Sequence, residues 1–141
     1  MRRVLGVGVV LLLLLSPHVL FAQGTGKGRA SRMGSSYPNP FNPTTTIPFT
    51  LFESDLPAGR PAKVTILILN VLQQQVAVPL AMDNPAGNGP LQDMLFTQPG
   101  NYRAFWDGTD KTGRKVASGI YYAVLVVNGR RDAPQKLVHM K

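Results

Sequence analysis

The sequence contains no cysteine, and this absence removes several kinds of site. Without thiols there is no disulfide to brace an exported fold, no lipid-attachment cysteine and no Cys–His nucleophile pair. Histidine is scarce as well, because His139 is the only one beyond the first 22 residues, and a zinc site with the usual ligands is therefore not expected. A hydrophobic core must supply the stability of any folded part.

Long apolar runs are also absent, except at the N-terminus. Arg2 and Arg3 precede an apolar stretch at residues 4–15, and Leu20-Phe21-Ala22 resembles a cleavage site, so residues 1–22 are predicted to be a signal peptide. An uncleaved membrane anchor is the alternative, but the stretch is shorter than the ~20 residues that a spanning helix needs. We therefore expect an exported protein with no stable membrane span after cleavage.

Acidic residues are few, and the chain is basic. Without Arg2 and Arg3 it keeps 13 of its 15 basic residues against 7 acidic ones, a net charge of +6. Such an excess could favour lipopolysaccharide or nucleic acid. The cations are scattered, however, and no platform of exposed aromatic residues accompanies them. We interpret the charge as a contribution to solubility and expect no nucleic-acid partner.

Composition divides the remaining chain in two. Residues 23–36 are rich in glycine, serine and cations and have no large apolar side chain except Met33, so they are predicted to be a flexible linker. At Tyr37 the composition changes, and the run Tyr37-Pro38-Asn39-Pro40-Phe41-Asn42-Pro43 predicts an extended, kinked segment. A single domain is expected over residues 37–141.

Within that domain, short β-prone segments alternate with turn signals and no helical apolar period occurs. Pro48 favours an edge position for its strand, apolar residues on both faces favour a central position for residues 63–72, and residues 107–113 are predicted to join a hairpin. The predicted strands are 44–51, 63–72, 75–80 (after the turn Gln73-Gln74-Gln75), 91–97, 102–106, 120–127 and, after the turn Asn128-Gly129, 134–140.

These segments predict an all-β fold, an immunoglobulin-like antiparallel β-sandwich of six or seven strands. Trp106 is expected at the centre of its core. The other predicted core residues are Phe49, Val64, Ile66, Ile68, Tyr102, Tyr122, Val124, Val126 and Leu137.

Five segments of the chain stand out by their order and spacing: the Tyr37 to Ile47 run, Val64 to Leu72, Trp106-Asp107-Gly108-Thr109-Asp110 with Gly113, Ala117-Ser118-Gly119-Ile120-Tyr121-Tyr122, and the closing Lys136-Leu137-Val138-His139-Met140-Lys141. Together they resemble the C-terminal sorting domain (type A) of type IX secretion cargo, a family related to the immunoglobulin-like domain of flagellar hook-capping proteins. The motif residues taken from the resemblance are Pro38, Asn39, Pro40, Phe41, Asn42, Pro43, Trp106, Asp107, Gly108, Gly113, Gly119, Tyr121, Lys136 and Lys141.

The resemblance implies a non-catalytic module that an outer-membrane export machine recognises. Its partner would be that machine or another envelope protein, and the protein would pass through the periplasm and then be secreted or stay at the cell surface. Strand addition along an exposed edge and the C-terminal strand is the expected mode of recognition. Only a short linker separates the predicted leader from the domain, so a stand-alone structural or adhesion-like β-module is the alternative.

Two other possibilities concern chemistry. Asp107 and Asp110 could contribute to a calcium site, but turn capping by their side chains is favoured because the spacing lacks the ligand density of an EF-hand loop. Ser118 and His139 could belong to a catalytic triad, but no nucleophile-elbow pattern surrounds Ser118. We therefore expect neither an enzyme nor a cofactor; the oligomeric state is not predicted.

Overall fold

A computed structural model describes residues 32–85 and 87–141. The predicted signal peptide and the first part of the predicted linker, residues 23–31, lie outside the described residues. Two short 3-10 turns, Glu53–Asp55 and Pro57–Gly59, are the helical elements of the described part. Its strands are β1 Thr45–Leu51, β2 Ala62–Leu69, β3 Gln75–Ala77, β4 Leu80–Ala81, β5 Met94–Phe96, β6 Gly100–Trp106, β7 Gly119–Val127, β8 Arg130–Arg131 and β9 Gln135–His139.

The strands form two antiparallel sheets that pack face to face. The smaller sheet has the order β1-β6-β4. The larger sheet has the order β3-β2-β7-β8, with β5 also paired to β2 and β9 also paired to β7. The predicted all-β antiparallel sandwich is confirmed, and so are the central position of β2 and the edge position of β1. No helix among residues 32–85 and 87–141 is long and apolar enough to cross a membrane.

The core lies between the two sheets. Every second side chain of each strand points into it. Trp106 is 2 % exposed, but it is the last residue of β6 and pairs with the first residue of β1, so it lies at one end of the core and not at the expected centre. Most of the predicted core is confirmed, with Phe49, Val64, Ile66, Ile68, Tyr102, Trp106 and Leu137 all in the core cluster.

The prediction is wrong for one strand, β7. Its inward residues are Tyr121, Ala123, Leu125 and Val127, whereas Tyr122, Val124 and Val126 were expected there. An apolar run gives no alternation from which to choose a face, and a shift of one residue turns every side chain to the other side. The three side chains lie on the outer face of the larger sheet, outside the core cluster, although Val124 is buried there.

Two predicted connections are also wrong. Strands β6 and β7 were expected to form a hairpin, but β6 belongs to the smaller sheet and β7 to the larger one, so residues 107–118 cross between the sheets. The predicted strand 75–80 likewise divides into β3 on the larger sheet and β4 on the smaller one. Val78-Pro79 separates the two, and proline cannot donate to a strand ladder.

Packed structure extends past the predicted boundary at Tyr37 as far as Arg32, the first residue that the structure describes. Arg32 and Met33 are each 3 % exposed, and the chain around them pairs with the open edge of β1. The Gly34 N–H donates to the Pro48 carbonyl at 2.9 Å, and the Thr50 N–H donates to the Arg32 carbonyl at 2.8 Å. Residues 32–36 are therefore part of the fold and not linker.

Arg32 enters this arrangement through a buried ion network. Its guanidinium donates to the Asp55 carboxylate and, at 3.2 Å, to Asp132 Oδ1. Asp55 also accepts the Phe52 N–H at 2.8 Å. The network joins three parts of the chain that are far apart in sequence, and a buried carboxylate is tolerated there because it is paired and hydrogen-bonded.

Candidate functional site

The proline-rich segment, residues 37–43, folds back onto the last strand of the domain; we call it the proline loop. Asn39 binds the outer edge of β9 through its side chain: Nδ2 donates to the Lys136 carbonyl at 2.9 Å and Oδ1 accepts the Val138 N–H at 2.8 Å. Phe41 continues the contact with its backbone, donating to the Val138 carbonyl and accepting the Met140 N–H. The peptide bonds preceding Pro38, Pro40 and Pro43 are cis.

Behind the proline loop, four ring side chains from distant segments meet in a cluster. The centroid of the Phe41 ring lies 5.3 Å from that of Trp106 and 4.9 Å from that of His139. Trp106 reaches across the sandwich to Tyr121, at 5.4 Å in an edge-to-face geometry that aromatic pairs favour. Burial raises the pKa of Tyr121, whose hydroxyl donates to the Ala117 carbonyl at 2.7 Å.

The loop after Trp106 is fixed by its own side chains. Asp107 Oδ1 accepts hydrogen bonds from the N–H and hydroxyl of Thr109, and Trp106 Nε1 donates to the Thr109 carbonyl at 2.9 Å. Asp110 accepts from the N–H and hydroxyl of Thr112, and these bonds lower the pKa of its carboxyl. The two aspartates therefore act as turn caps, the role that the sequence favoured.

Gly108 connects this loop to the proline loop. It has a φ of +73°, and a Cβ built on it would stand 2.6 Å from the Pro43 carbonyl oxygen. The two segments can approach this closely only with glycine at the contact. Glycine is thus required at position 108 both by the positive φ and by the closeness of the Pro43 carbonyl oxygen.

The structure therefore brings most of the predicted motif residues to one end of the sandwich, and we call this assembly the motif cluster. Phe41, Trp106, Gly108 and Tyr121 form its buried part. Its exposed members are Pro38, Asn39, Pro40, Asn42, Pro43, Asp107, Gly119 and Lys141. Gly113 lies in the exposed turn at 110–113, and Lys136 lies on the outer face of the larger sheet opposite Tyr122.

Ser118 and His139, the candidate catalytic residues, each contact the backbone of another segment and not each other. Ser118 Oγ accepts the Lys141 N–H at 3.1 Å, and His139 Nδ1 lies 3.2 Å from the Ala117 carbonyl oxygen. These contacts fasten the end of the chain beside β7. In the described ranges no group of three or more His, Cys, Asp or Glu side chains could hold a metal ion.

A second feature, which the motifs did not indicate, is a groove on the outer face of the larger sheet. We call it the outer groove; its volume is about 410 Å³. The turn 70–73 and the β8–β9 connection form its walls. Its lining residues are Leu69, Asn70, Val71, Gln73, Tyr122, Val124, Arg131, Asp132 and Pro134. The sequence signal for it was the apolar character of both faces of β2 and β7.

Fold and site together define an all-β sandwich domain whose proline loop is fastened to its last strand. No family model matches the chain, and no curated protein matches it. Part of the crystal structure of dimeric latent PorU from Porphyromonas gingivalis is similar, with a TM-score of 0.50 and 18% sequence identity. The match covers 77% of this chain and 9% of that chain, so this chain corresponds to a small part of PorU. The likeness shows the fold.

Proposed function

We propose that this chain is a non-catalytic sorting module that an outer-membrane export machine of the type IX kind recognises after the protein has crossed the inner membrane. The observation that carries the proposal is the motif cluster. Segments that begin near Tyr37, Trp106 and Lys136 resemble sorting-domain motifs, and they pack on one another at one end of the domain. The match to part of PorU supports the fold of such a module.

The contacts at the C-terminal strand do not favour strand addition as the mode of recognition. The proline loop already occupies the outer edge of β9 through Asn39 and Phe41. The edge of β1 that faces away from β6 is likewise covered, because residues 32–37 form backbone hydrogen bonds with it. An added strand would have to displace these hydrogen bonds, so a partner is expected to bind the folded surface instead.

A reporter enzyme inserted within residues 23–31 of the complete chain tests the proposal. In a host with a type IX machine, the reporter is expected in the medium or on the cell surface. The fusion still begins with the predicted signal peptide and still ends with the domain that the machine would recognise. The matched control carries the same leader and reporter but stops before Arg32, and it is expected to stay in the periplasm. Periplasmic retention of the complete fusion would reject the sorting function.

Deletion of residues 136–141 is a poor variant for this experiment. It removes Leu137, which is fully buried, together with the backbone groups that bind the proline loop. Loss of export would then follow from unfolding under any function. Substitutions at exposed positions are needed to separate recognition from stability.

A structural or adhesion-like β-module is the second candidate, and the apolar outer groove favours it. Leu69 and Val124 are buried but lie outside the core cluster, on the face that the sandwich leaves open. Such a face suits permanent packing against another envelope protein. Under this function the complete reporter fusion would remain in the periplasm.

A further inference from the structure

The outer groove has an apolar floor and raised walls. Leu69 of β2 and its pairing partner Tyr122 of β7 lie on the floor beside Val124. The turn 70–73 stands on one side, held by Asn70, whose Oδ1 accepts the N–H groups of Leu72 and Gln74. The groove is therefore formed by packed strands and by a turn with its own hydrogen bonds, and it does not depend on a ligand for its shape.

Apolar surface continues beyond the groove. Val71 lines the groove and is 64% exposed, and the next residue, Leu72, is not part of the lining and is 74% exposed. A volume of about 410 Å³ lies within the ~300–1,000 Å³ range of small-molecule sites, but a small ligand in the groove would leave the Leu72 side chain in water. A protein surface can cover the groove and the turn together, so the extent of the patch favours a polypeptide.

The charge around the groove is positive. Arg131 lies on its wall, and Lys136 lies opposite Tyr122 on the same face; both side chains are exposed. Asp132 also lines the groove, but its carboxylate is paired with the buried Arg32. A partner that brings carboxylates to Arg131 and Lys136 would find complementary charge.

Two occupants from this chain fit poorly. Residues 23–31 carry cations and no large apolar side chain, so they can neither fill an apolar floor nor complement Arg131. A second copy docked groove to groove would place the Arg131 side chains of both copies in one interface. Like charges at an interface disfavour that pairing.

We propose that the outer groove is the docking site for a polypeptide of the export machine that presents an apolar side chain flanked by carboxylates. This inference rests on the proposed sorting function and adds the surface and the chemistry of its partner. The groove lies on the large-sheet face, whereas the buried part of the motif cluster stabilises the fold. The residues of the outer groove would thus serve recognition, and the buried residues of the motif cluster would serve folding.

The test uses the complete chain with the reporter within residues 23–31 and two variants of the groove region, Leu72→Asp and Arg131→Glu. Both side chains are exposed, so the folded state should tolerate the changes. For each variant, the exported fraction should fall about tenfold, the ratio that corresponds to about 1.4 kcal/mol of binding free energy. Arg131→Lys keeps the charge and should retain export.

Matched controls carry the same changes elsewhere: Leu80→Asp at a leucine that is 47% exposed on the smaller sheet, and Arg114→Glu in the 107–118 connection. They should be exported like the parent. Parent-like export of both groove variants would overturn the docking site and leave the sorting function standing. Retention of the parent itself would overturn both proposals.

Vesicles of anionic phospholipid separate a membrane from a polypeptide partner. The purified chain, with the leader removed by the cell, should not sediment with these vesicles at physiological salt. Sedimentation that Arg131→Glu and Leu72→Asp abolish would assign the groove to a lipid surface and overturn the polypeptide proposal.

Discussion

Replacing Asp55 with alanine is expected to lower the free energy of unfolding by about 3 kcal/mol, the lower end of the cost of removing one partner from a buried ion pair. The side chains of Arg32 and Asp55 are 3% and 2% exposed. After the change, Arg32 would keep only Asp132 as its partner in the network, at 3.2 Å. Urea unfolding of the leader-free protein, followed by the fluorescence of Trp106, measures the loss.

Asp83→Ala is the matched control, because it removes a carboxylate from an ion pair at the surface. Arg103 and Asp83 are 49% and 32% exposed, and such solvent-screened pairs contribute little to stability. Equally small losses for Asp55→Ala and Asp83→Ala would mean that Arg32 is solvated. In that case residues 32–36 would be linker, as the sequence predicted.

The second large effect is expected at Gly108, where alanine should cost about 3 kcal/mol. Roughly 1–2 kcal/mol would come from the positive φ, and the remainder from moving the Pro43 carbonyl away from the new methyl group. The same urea unfolding experiment measures the loss. Because the contact joins the proline loop to the 107–118 connection, the variant also probes how tightly the motif cluster is packed.

Gly113→Ala isolates the conformational part of this cost. Gly113 has a φ of +81°, but a Cβ added to it would meet no atom within 4 Å, so only the ~1–2 kcal/mol for the left-handed backbone is expected. The difference between the two variants measures the contact with Pro43. Equal losses would contradict the close approach of the two segments.

The sequence predicted the fold class and most strands because turn residues and β-branched runs are local signals. It failed where the answer depended on the pairing of distant segments. The 107–113 turn resembles a hairpin connection, yet β6 pairs with β1 and β7 with β2. For β7, the run from Tyr121 to Val127 carries no charged or strongly polar residue that marks the outer face. The sequence therefore predicted the wrong set of alternate residues to face the core.

For the candidate site, the resemblance identified the motif residues but not their arrangement. Composition placed Arg32 in a linker, since nothing near it in sequence shows that Asp55 and Asp132 would pair with it in the folded domain. The expected strand addition at the C-terminal strand requires an open edge on β9, and the prolines of residues 37–43 predicted only an extended, kinked segment. The contacts of Asn39 with β9 span about 100 residues of sequence, and no local pattern predicts them.

Hydrogen exchange at the Val138 amide tests most directly whether the proline loop closes the edge of the C-terminal strand. This N–H points away from β7 and donates to Asn39 Oδ1 at 2.8 Å. We expect the Val138 amide to exchange about as slowly as that of the core residue Leu137, and Asn39→Ala to speed exchange at Val138 while Leu137 stays protected. Rapid exchange of Val138 in the unaltered protein would show that the edge of β9 is open and that Asn39 does not cover it.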